Sequence, residues 1–339
     1  MRCSLALAPL ALLAHYVLRL DATAVFVLSA VALAPLAFLI GEATENLAVH
    51  TGPGIGAFTN ASLGNAPELI IALFAVSDGL PQVVLGSITG SVVSTTLLVS
   101  GGSMLTGGDG PLHRRSLLSQ LATILAALAL FLIPSIAGFH GDPERHSLYL
   151  LTLPVAVVLL AFYVWLTVAN LRLERAKPAP PPSGVWSLRR SVLVLALAAG
   201  ATALVSELLV GSLQSFGHSL GLSAFFVAAV IVALVGNAAE QGGAIVIAQR
   251  GNPGLGAEIA ISSATQIAVF VCPAVALLSS AVGRSLPLAF RPVELAGMGG
   301  AVVAVAATVL GGRSRRLYGA GLIVAYGAVA VAFALAGGG

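Results

Sequence analysis

The chain has 339 residues, 58% of them apolar and only 9% charged, with a mean hydropathy of +1.01. A soluble domain carries roughly 25% charged residues, so the composition excludes one and describes an integral membrane protein. The net charge of +3 comes from a few basic residues scattered through short loops, which excludes an extended nucleic-acid-binding face.

Breaking the chain at charges, prolines and glycine clusters predicts an all-α polytopic membrane protein of about eleven transmembrane helices. Each is near the ~20 residues a bilayer core requires. They run roughly over 4–20, 23–49, 56–77, 81–106, 117–138, 148–171, 190–216, 222–249, 253–281, 287–311 and 317–336. Residues 1–21 have the shape of a signal peptide, one positive charge before a short apolar run. They are read as an extra N-terminal helix, because no small-residue cleavage site leads into a soluble domain. Cys3 and Cys272 lie in or beside apolar segments, where neither a disulfide nor a thiolate metal motif is expected.

The one hydrophilic stretch of any length, 172–189, contains Lys177-Pro178-Ala179-Pro180-Pro181-Pro182. Proline at that density favours an extended spacer, and it divides the chain almost in half. With this linker placed in the cytoplasm, Arg2, Arg114, Arg115, Arg172, Arg175, Lys177, Arg189, Arg190, Arg250, Arg313, Arg315 and Arg316 count inside, against Arg19, Arg145, Arg284 and Arg291 outside. That bias fits the positive-inside rule and an odd number of spans. Five spans remain in each half, 22–171 and 190–339, so the halves must run in opposite directions as inverted repeats. Length and an Ala/Gly-rich composition without targeting tails suggest a bacterial inner (plasma) membrane, with the N-terminus in the cytoplasm.

A five-residue phrase occurs once in each half: Gly64-Asn65-Ala66-Pro67-Glu68 and, 172 positions later, Gly236-Asn237-Ala238-Ala239-Glu240. An ionisable residue at bilayer depth is expensive and reads first as a functional site. Similar polar residues flank both copies. Thr44-Glu45 and Ser206-Glu207 precede them, and Ser91, Thr95, Ser263 and Gln266 follow. No Lys or Arg lies deep in any predicted span, while Glu42, Glu45, Glu68, Glu207, Glu240, Glu258 and Glu294 lie within spans or near their ends. Carboxylates without basic partners must be protonated, solvated or neutralised by a bound cation, so the balance favours cations over anionic substrates.

Asn and Glu three apart share a helix face, and the preceding glycine permits close approach or unwinding. Pro67 removes a backbone donor and leaves a carbonyl free. Carboxylate, amide and carbonyl oxygens are hard ligands of the kind Ca²⁺ takes, six to eight at a time. The phrase has no thiolate or imidazole that would indicate zinc or copper. Two carboxylates in one low-dielectric site cannot both stay ionised without a cation, so protons should replace a departing metal. Glu68, Glu240, Asn65 and Asn237 are therefore the expected metal ligands. Gly64, Gly236, Asn60, Glu45, Glu207, Ser91, Thr95, Ser263, Gln266 and Gln241 are the expected pathway or accessory residues. Blander roles stand beside these. Glu45 and Glu207 suit helix ends as well as gates, the asparagines can cap broken backbone, and Ser or Thr in a span often bonds the preceding turn. Glu258 near Arg250 and Glu294 near Arg291 read most simply as interfacial charges.

The duplicated Gly-Asn-x-x-Glu phrase resembles the hallmark of the calcium/proton exchanger (CAX) family within the cation/Ca²⁺ exchanger superfamily. The likeness extends through Gly41-Glu42-Ala43-Thr44-Glu45, Thr59-Asn60-Ala61-Ser62-Leu63, Ser206-Glu207-Leu208-Leu209-Val210 and Thr265-Gln266-Ile267-Ala268. The resemblance implies an eleven-helix antiporter that exports Ca²⁺ in exchange for H⁺, with Glu68 and Glu240 as central ligands. Gln241 stands where the family usually has His, and Thr95 where it usually has Asn. Na⁺/H⁺ or Na⁺/Ca²⁺ exchange on the same fold, and a non-transporting cation sensor, remain alternatives. No nucleophile–base arrangement or cofactor loop suggests an enzyme. No cofactor is expected, and the expected partners are Ca²⁺ and H⁺ as transported ions and the lipid bilayer, with no nucleic acid.

Overall fold

The computed structural model describes residues 4–139, 146–174 and 185–337. The proline-rich centre of the linker lies outside them, as do Arg2, Arg145, Arg175 and Lys177. The helices are α1 (Leu7–Tyr16), α2 (Ala22–Leu63), α3 (Ala66–Ser77), α4 (Pro81–Gly107), α5 (Arg114–Gly138), α6 (His146–Glu174), α7 (Leu188–Ser219), α8 (Ala224–Gly236), α9 (Ala238–Gln249), α10 (Pro253–Val282), α11 (Pro292–Val309) and α12 (Arg316–Ala336). Two short strands, β1 (Gly110–Pro111) and β2 (Arg313–Ser314), pair antiparallel.

Among the described residues, eight helices are long and apolar enough to cross a membrane, and the bent pair α8–α9 makes a ninth. The other two expected stretches, 4–20 and 56–77, hold the shorter apolar helices α1 and α3. Every expected segment therefore contains an apolar helix, while complete crossings by length number eight or nine. The ten residues of α1 rise only ~15 Å, about half a hydrocarbon core.

Helical turns run unbroken from Ala22 to Leu63, across the expected gap between 49 and 56. The chain nevertheless reverses there. A Cβ on Gly56 would collide with the carbonyl of Ala48, eight residues earlier, whereas a straight helix separates such residues by about 12 Å.

Side-chain and backbone contacts sort the connections onto two ends, as alternate crossings require. At one end the Arg284 Nε donates to the Ser77 carbonyl at 3.0 Å. At the other, β1–β2 joins the α4–α5 and α11–α12 turns. The end of the linker is also fixed: Trp186 N donates to Asn46 Oδ1 at 2.8 Å, and its carbonyl lies 2.6 Å from His50 Nε2. Two side chains one turn apart on α2 thus hold one linker residue by both backbone groups.

The most extensive helix contact is α2 against α7, the long helices that open the two expected halves. The last helix of each half packs on the far end of the other half's central helix: α6 on Cys272–Leu278 of α10, and α12 on Ser100–Gly107 of α4. Helices α4 and α10 are the most enclosed spans, with 89% and 72% of their apolar windows buried, against 17% for α12. Polar residues on α4 and α10 are therefore shielded from lipid. The outer helices carry exposed aliphatics such as Leu197, Leu317 and Leu335, as a lipid-facing surface requires.

Helix α4 meets α8 backbone to backbone. A Cβ on Gly90 would overlap the Ala229 carbonyl, so only glycine fits, in the manner of small-residue membrane interfaces. Gly90→Leu should sharply lower the detergent melting temperature, since overpacking costs about 1–3 kcal/mol or more. Gly211→Leu, with nothing within 4 Å of its Cβ position, should leave it nearly unchanged.

Candidate functional site

Each copy of the repeated phrase breaks a helix at its asparagine. Asn65 has φ −86° and ψ 15°, and Asn237 has φ −91° and ψ 9°, both in the sparsely populated bridge region. The bend between α8 and α9 is 60°. After each break a fresh helix begins, with Glu68 in the first turn of α3 and Glu240 in the first turn of α9. Pro67 falls at the start of α3, where no intrahelical donor is needed, so it favours the restart. Each carboxylate thus sits at the positive end of a half-helix.

The two half-helices bring these acids together. Glu68 and Glu240 are close enough for mutual charge repulsion. A Cβ on Gly236 would stand 3.7 Å from Glu68 Oε1, so the second phrase lies in contact with the acid of the first. A cavity with about 20 Å³ open to the centre of a water molecule is lined by Glu68, Ser87, Ser91, Gly236 and aliphatics from α3, α4, α8 and α10. That volume suits one water or an ion of similar size. Among the described residues, no Lys, Arg or His lines it. Ser263 Oγ lies beside the Glu240 carboxylate. Three buried oxygens here lack a hydrogen-bond partner: Glu68 Oε2, Glu240 Oε2 and Asn237 Oδ1. Such groups are costly in a dry interior unless something occupies the space between them.

Hydrogen bonds across the site are crossed. Asn65 Nδ2 donates to Gln266 Oε1 at 2.9 Å, and Asn237 Nδ2 donates to Ser91 Oγ at 2.7 Å. Each asparagine therefore binds the central helix of the opposite half. Gln241 Nε2 adds a longer contact to Ser94 Oγ at 3.4 Å. Gln266 is steadied in turn by its Nε2, 3.4 Å from Ser262 Oγ. Directly beyond these residues both central helices widen into π-helical turns, Ser94–Val99 and Ile267–Val271, a deviation common at functional sites.

The structure thus gathers Glu68, Glu240, Asn65, Asn237, Gly236, Ser91, Ser263, Gln266 and Gln241. Gly64 ends α2 beside the first break. Thr95 is buried, but its hydroxyl donates to Ser91 O at 2.6 Å, bonding its own helix. Asn60, Glu45 and Glu207 are exposed and do not line the cavity; the neighbours Thr44 and Ser206 are the buried members of their pairs. Two expected interfacial acids behave differently. Glu258 pairs with His113 at 3.0 Å rather than with Arg250. Glu294 is only 1% exposed and is satisfied by Arg291, whose backbone N donates to Oε2 at 2.7 Å, with Thr89 Oγ1 3.5 Å from Oε1. Ser94 and Ser87 were not anticipated. Ser94 had a signal, because it precedes Gln266 by 172 positions, the offset of the phrase itself; the same offset relates Pro81 to Pro253 and Ser91 to Ser263.

The model of the family described as sodium/calcium exchanger protein matches residues 22–172 and 190–335. A Ca²⁺/H⁺ antiporter of Synechocystis sp. is 33% identical, covering 96% of this chain and 94% of the relative. The Ca²⁺/H⁺ antiporter ChaA of Bacillus subtilis is 35% identical over 91% and 92% of the two chains. The chain belongs to the sodium/calcium exchanger family, in its calcium/proton exchanger branch. Among solved structures, native YfkE superposes on this exchanger with a TM-score of 0.83 at 32% identity, covering 98% of each chain. The two matched segments stop and resume on either side of the linker.

If the crossed bonds tie the exchanger's two halves together, Asn237→Ala and Ser91→Ala should be non-additive in thermal stability. The expected coupling is about 0.5–2 kcal/mol, the range for polar pairs inside membranes. Additive losses would show that the hydroxyl and amide act separately.

Proposed function

We propose that the exchanger exports Ca²⁺ in exchange for H⁺ by alternating access, with Ca²⁺ and protons competing for Glu68 and Glu240. The observation that carries this reading is the approach of Glu240 to Glu68, beside a small cavity that Glu68 lines and that has no basic residue in its lining among the described residues. Two carboxylates are balanced by one divalent cation or by two protons, so occupancy by either leaves the site neutral. Asn237 Oδ1, buried without a partner, Ser263 Oγ beside Glu240 and the Asn65 amide supply neutral oxygens to complete a Ca²⁺ shell. Among the described residues no group of three or more His, Cys, Asp or Glu side chains is placed to hold a metal. A site with two acids suits a cargo that must also be released.

In this reading residues 22–171 and 190–339 are inverted repeats, residues 1–21 are an added segment, and the 172–189 linker and N-terminus face the cytoplasm of a bacterial plasma membrane. Names of relatives at 33–35% identity, both Ca²⁺/H⁺ antiporters, support the choice of ions. The reciprocal packing of α6 on α10 and of α12 on α4 supports the repeat. Gln266, Ser91, Gln241 and Ser94 orient the ligands, and rocking of the α2–α7 pair against the rest would open the site to one side and then the other.

Purified exchanger in proteoliposomes should take up ⁴⁵Ca²⁺ after a pH jump, and Glu68→Gln or Glu240→Gln should abolish uptake while the protein still folds. Uptake driven by a Na⁺ gradient alone would instead favour sodium coupling. Since protonated carboxylates cannot hold the metal, apparent Ca²⁺ affinity should weaken as pH falls. The change should be about tenfold per pH unit for each proton displaced. Affinity indifferent to pH between 6 and 9 would contradict direct competition.

A further inference from the structure

We propose that the basic face formed by the α4–α5, α9–α10 and α11–α12 turns is a binding surface for the phosphate headgroups of anionic phospholipids. Three chain segments distant in sequence meet there. Gly110 pairs with Ser314 and Pro111 with Arg313. Leu112 N donates to Gly312 O at 3.0 Å, and Ser314 Oγ donates to Gly108 O at 2.8 Å. The third turn packs beneath the first, since a Cβ on Gly110 would come within 2.8 Å of Pro253 Cγ.

This convergence places Arg114, Arg115, Arg250, Arg313, Arg315 and Arg316 on one end of the bundle, all exposed. None of the six forms an ion pair among the described residues; the ion pairs there are His113–Glu258 and Arg291–Glu294. Of the acids on these turns, Glu258 is engaged by His113, which leaves Asp109 against six guanidinium groups. Arg315 is steadied over the Tyr318 ring at 5.6 Å. An open depression at the start of α5 is lined by His113, Arg114, Arg115, Ser116 and Ser119, a donor set that matches phosphate oxygens.

Its position selects a lipid headgroup over a soluble anion. Arg315 and Arg316 lead directly into α12, the least enclosed span, whose Leu317, Val324 and Leu335 are 72–78% exposed. Acyl chains therefore lie along α12 immediately below the arginines, and headgroup phosphates lie at their level. Basic side chains at that level are attracted to anionic leaflets. The β1–β2 bridge joins the turn after α4 to the turn before α12, so a lipid bound there would clamp the end of the central helix.

The test is thermal melting of the full-length exchanger in phosphatidylcholine micelles with and without phosphatidylglycerol, at low and high salt, alongside soluble glycerol phosphate and inorganic phosphate. Phosphatidylglycerol should raise the melting temperature by several degrees at low salt, with the gain lost at 1 M salt, where the Debye length is about 3 Å. The quadruple variant Arg114→Gln/Arg115→Gln/Arg313→Gln/Arg315→Gln should lose most of that gain. If it does not fold, the pairs Arg114→Gln/Arg115→Gln and Arg313→Gln/Arg315→Gln, on either side of the β-bridge, should each lose part of it. Equal stabilisation of wild type and variants would overturn the proposal, as would full stabilisation by the soluble phosphates.

Discussion

Two carboxylates enclosed by apolar helices, neither in an ion pair among the described residues, set the terms for the rest of the molecule. An ion pair with Lys or Arg would neutralise Glu68 and Glu240 permanently and leave nothing to transport. Among the described residues the cavity that Glu68 lines has no Lys, Arg or His in its lining, so in the proposed exchange that charge would stay available to a transported cation. Glu294 supplies the contrast. It is a more fully buried acid than either, yet its charge is answered by Arg291 and its oxygens by a backbone amide and Thr89. The same side chain is ion-paired in one place and without an ion pair among the described residues in the other, and the partners make the difference.

That constraint also explains why the backbone is irregular where it is. A continuous helix presents no free N–H groups or carbonyls at bilayer depth, so a polar ligand set requires broken helices sheltered inside protein. The breaks at Asn65 and Asn237 are sheltered by α4 and α10, the two most enclosed spans. Those spans in turn carry the Ser and Gln residues that hold the asparagine amides. Close approach depends on glycine at Gly90 against Ala229. Ligands, breaks and close packing therefore form one interdependent unit, in which neither half has a complete site alone.

Much of this was legible in the sequence because membrane burial is written in long, uniform signals. Apolar runs marked every helix, and the repeated phrase marked both breaks and both acids. Less was legible where the outcome depended on which side chain reached which partner. Glu294 reads as an interfacial charge by its distance from Arg291, but helix packing encloses it under α4. Glu258 sits near Arg250 in sequence and meets His113 in space. Thr95 has the right type and neighbourhood for an ion path, yet its hydroxyl turns back on Ser91, the usual local choice for Thr in a helix. The reversal between Ala48 and Gly56 was legible as a gap in hydropathy, although helical turns continue through it.

The two sides of the site are alike but not equivalent, and the difference has a physical consequence. In one half a long amide on the central helix, Gln266, reaches Asn65 directly at 2.9 Å. In the other half the matching position is Ser94, too short to do the same. Asn237 turns to Ser91 at 2.7 Å, and the long amide appears on the motif helix as Gln241, reaching Ser94 at 3.4 Å. Leu69 occupies the position that corresponds to Gln241, so the first half has no matching second bond. In the proposed alternating-access cycle, inward-facing and outward-facing states related by perfect internal symmetry would be equal in energy. Unequal polar contacts at the two breaks remove that equality, because motion that strains one set does not relax an identical set elsewhere. In the proposed cycle the preference between the two states would then follow side-chain length at four positions, 69, 94, 241 and 266, none of which carries charge.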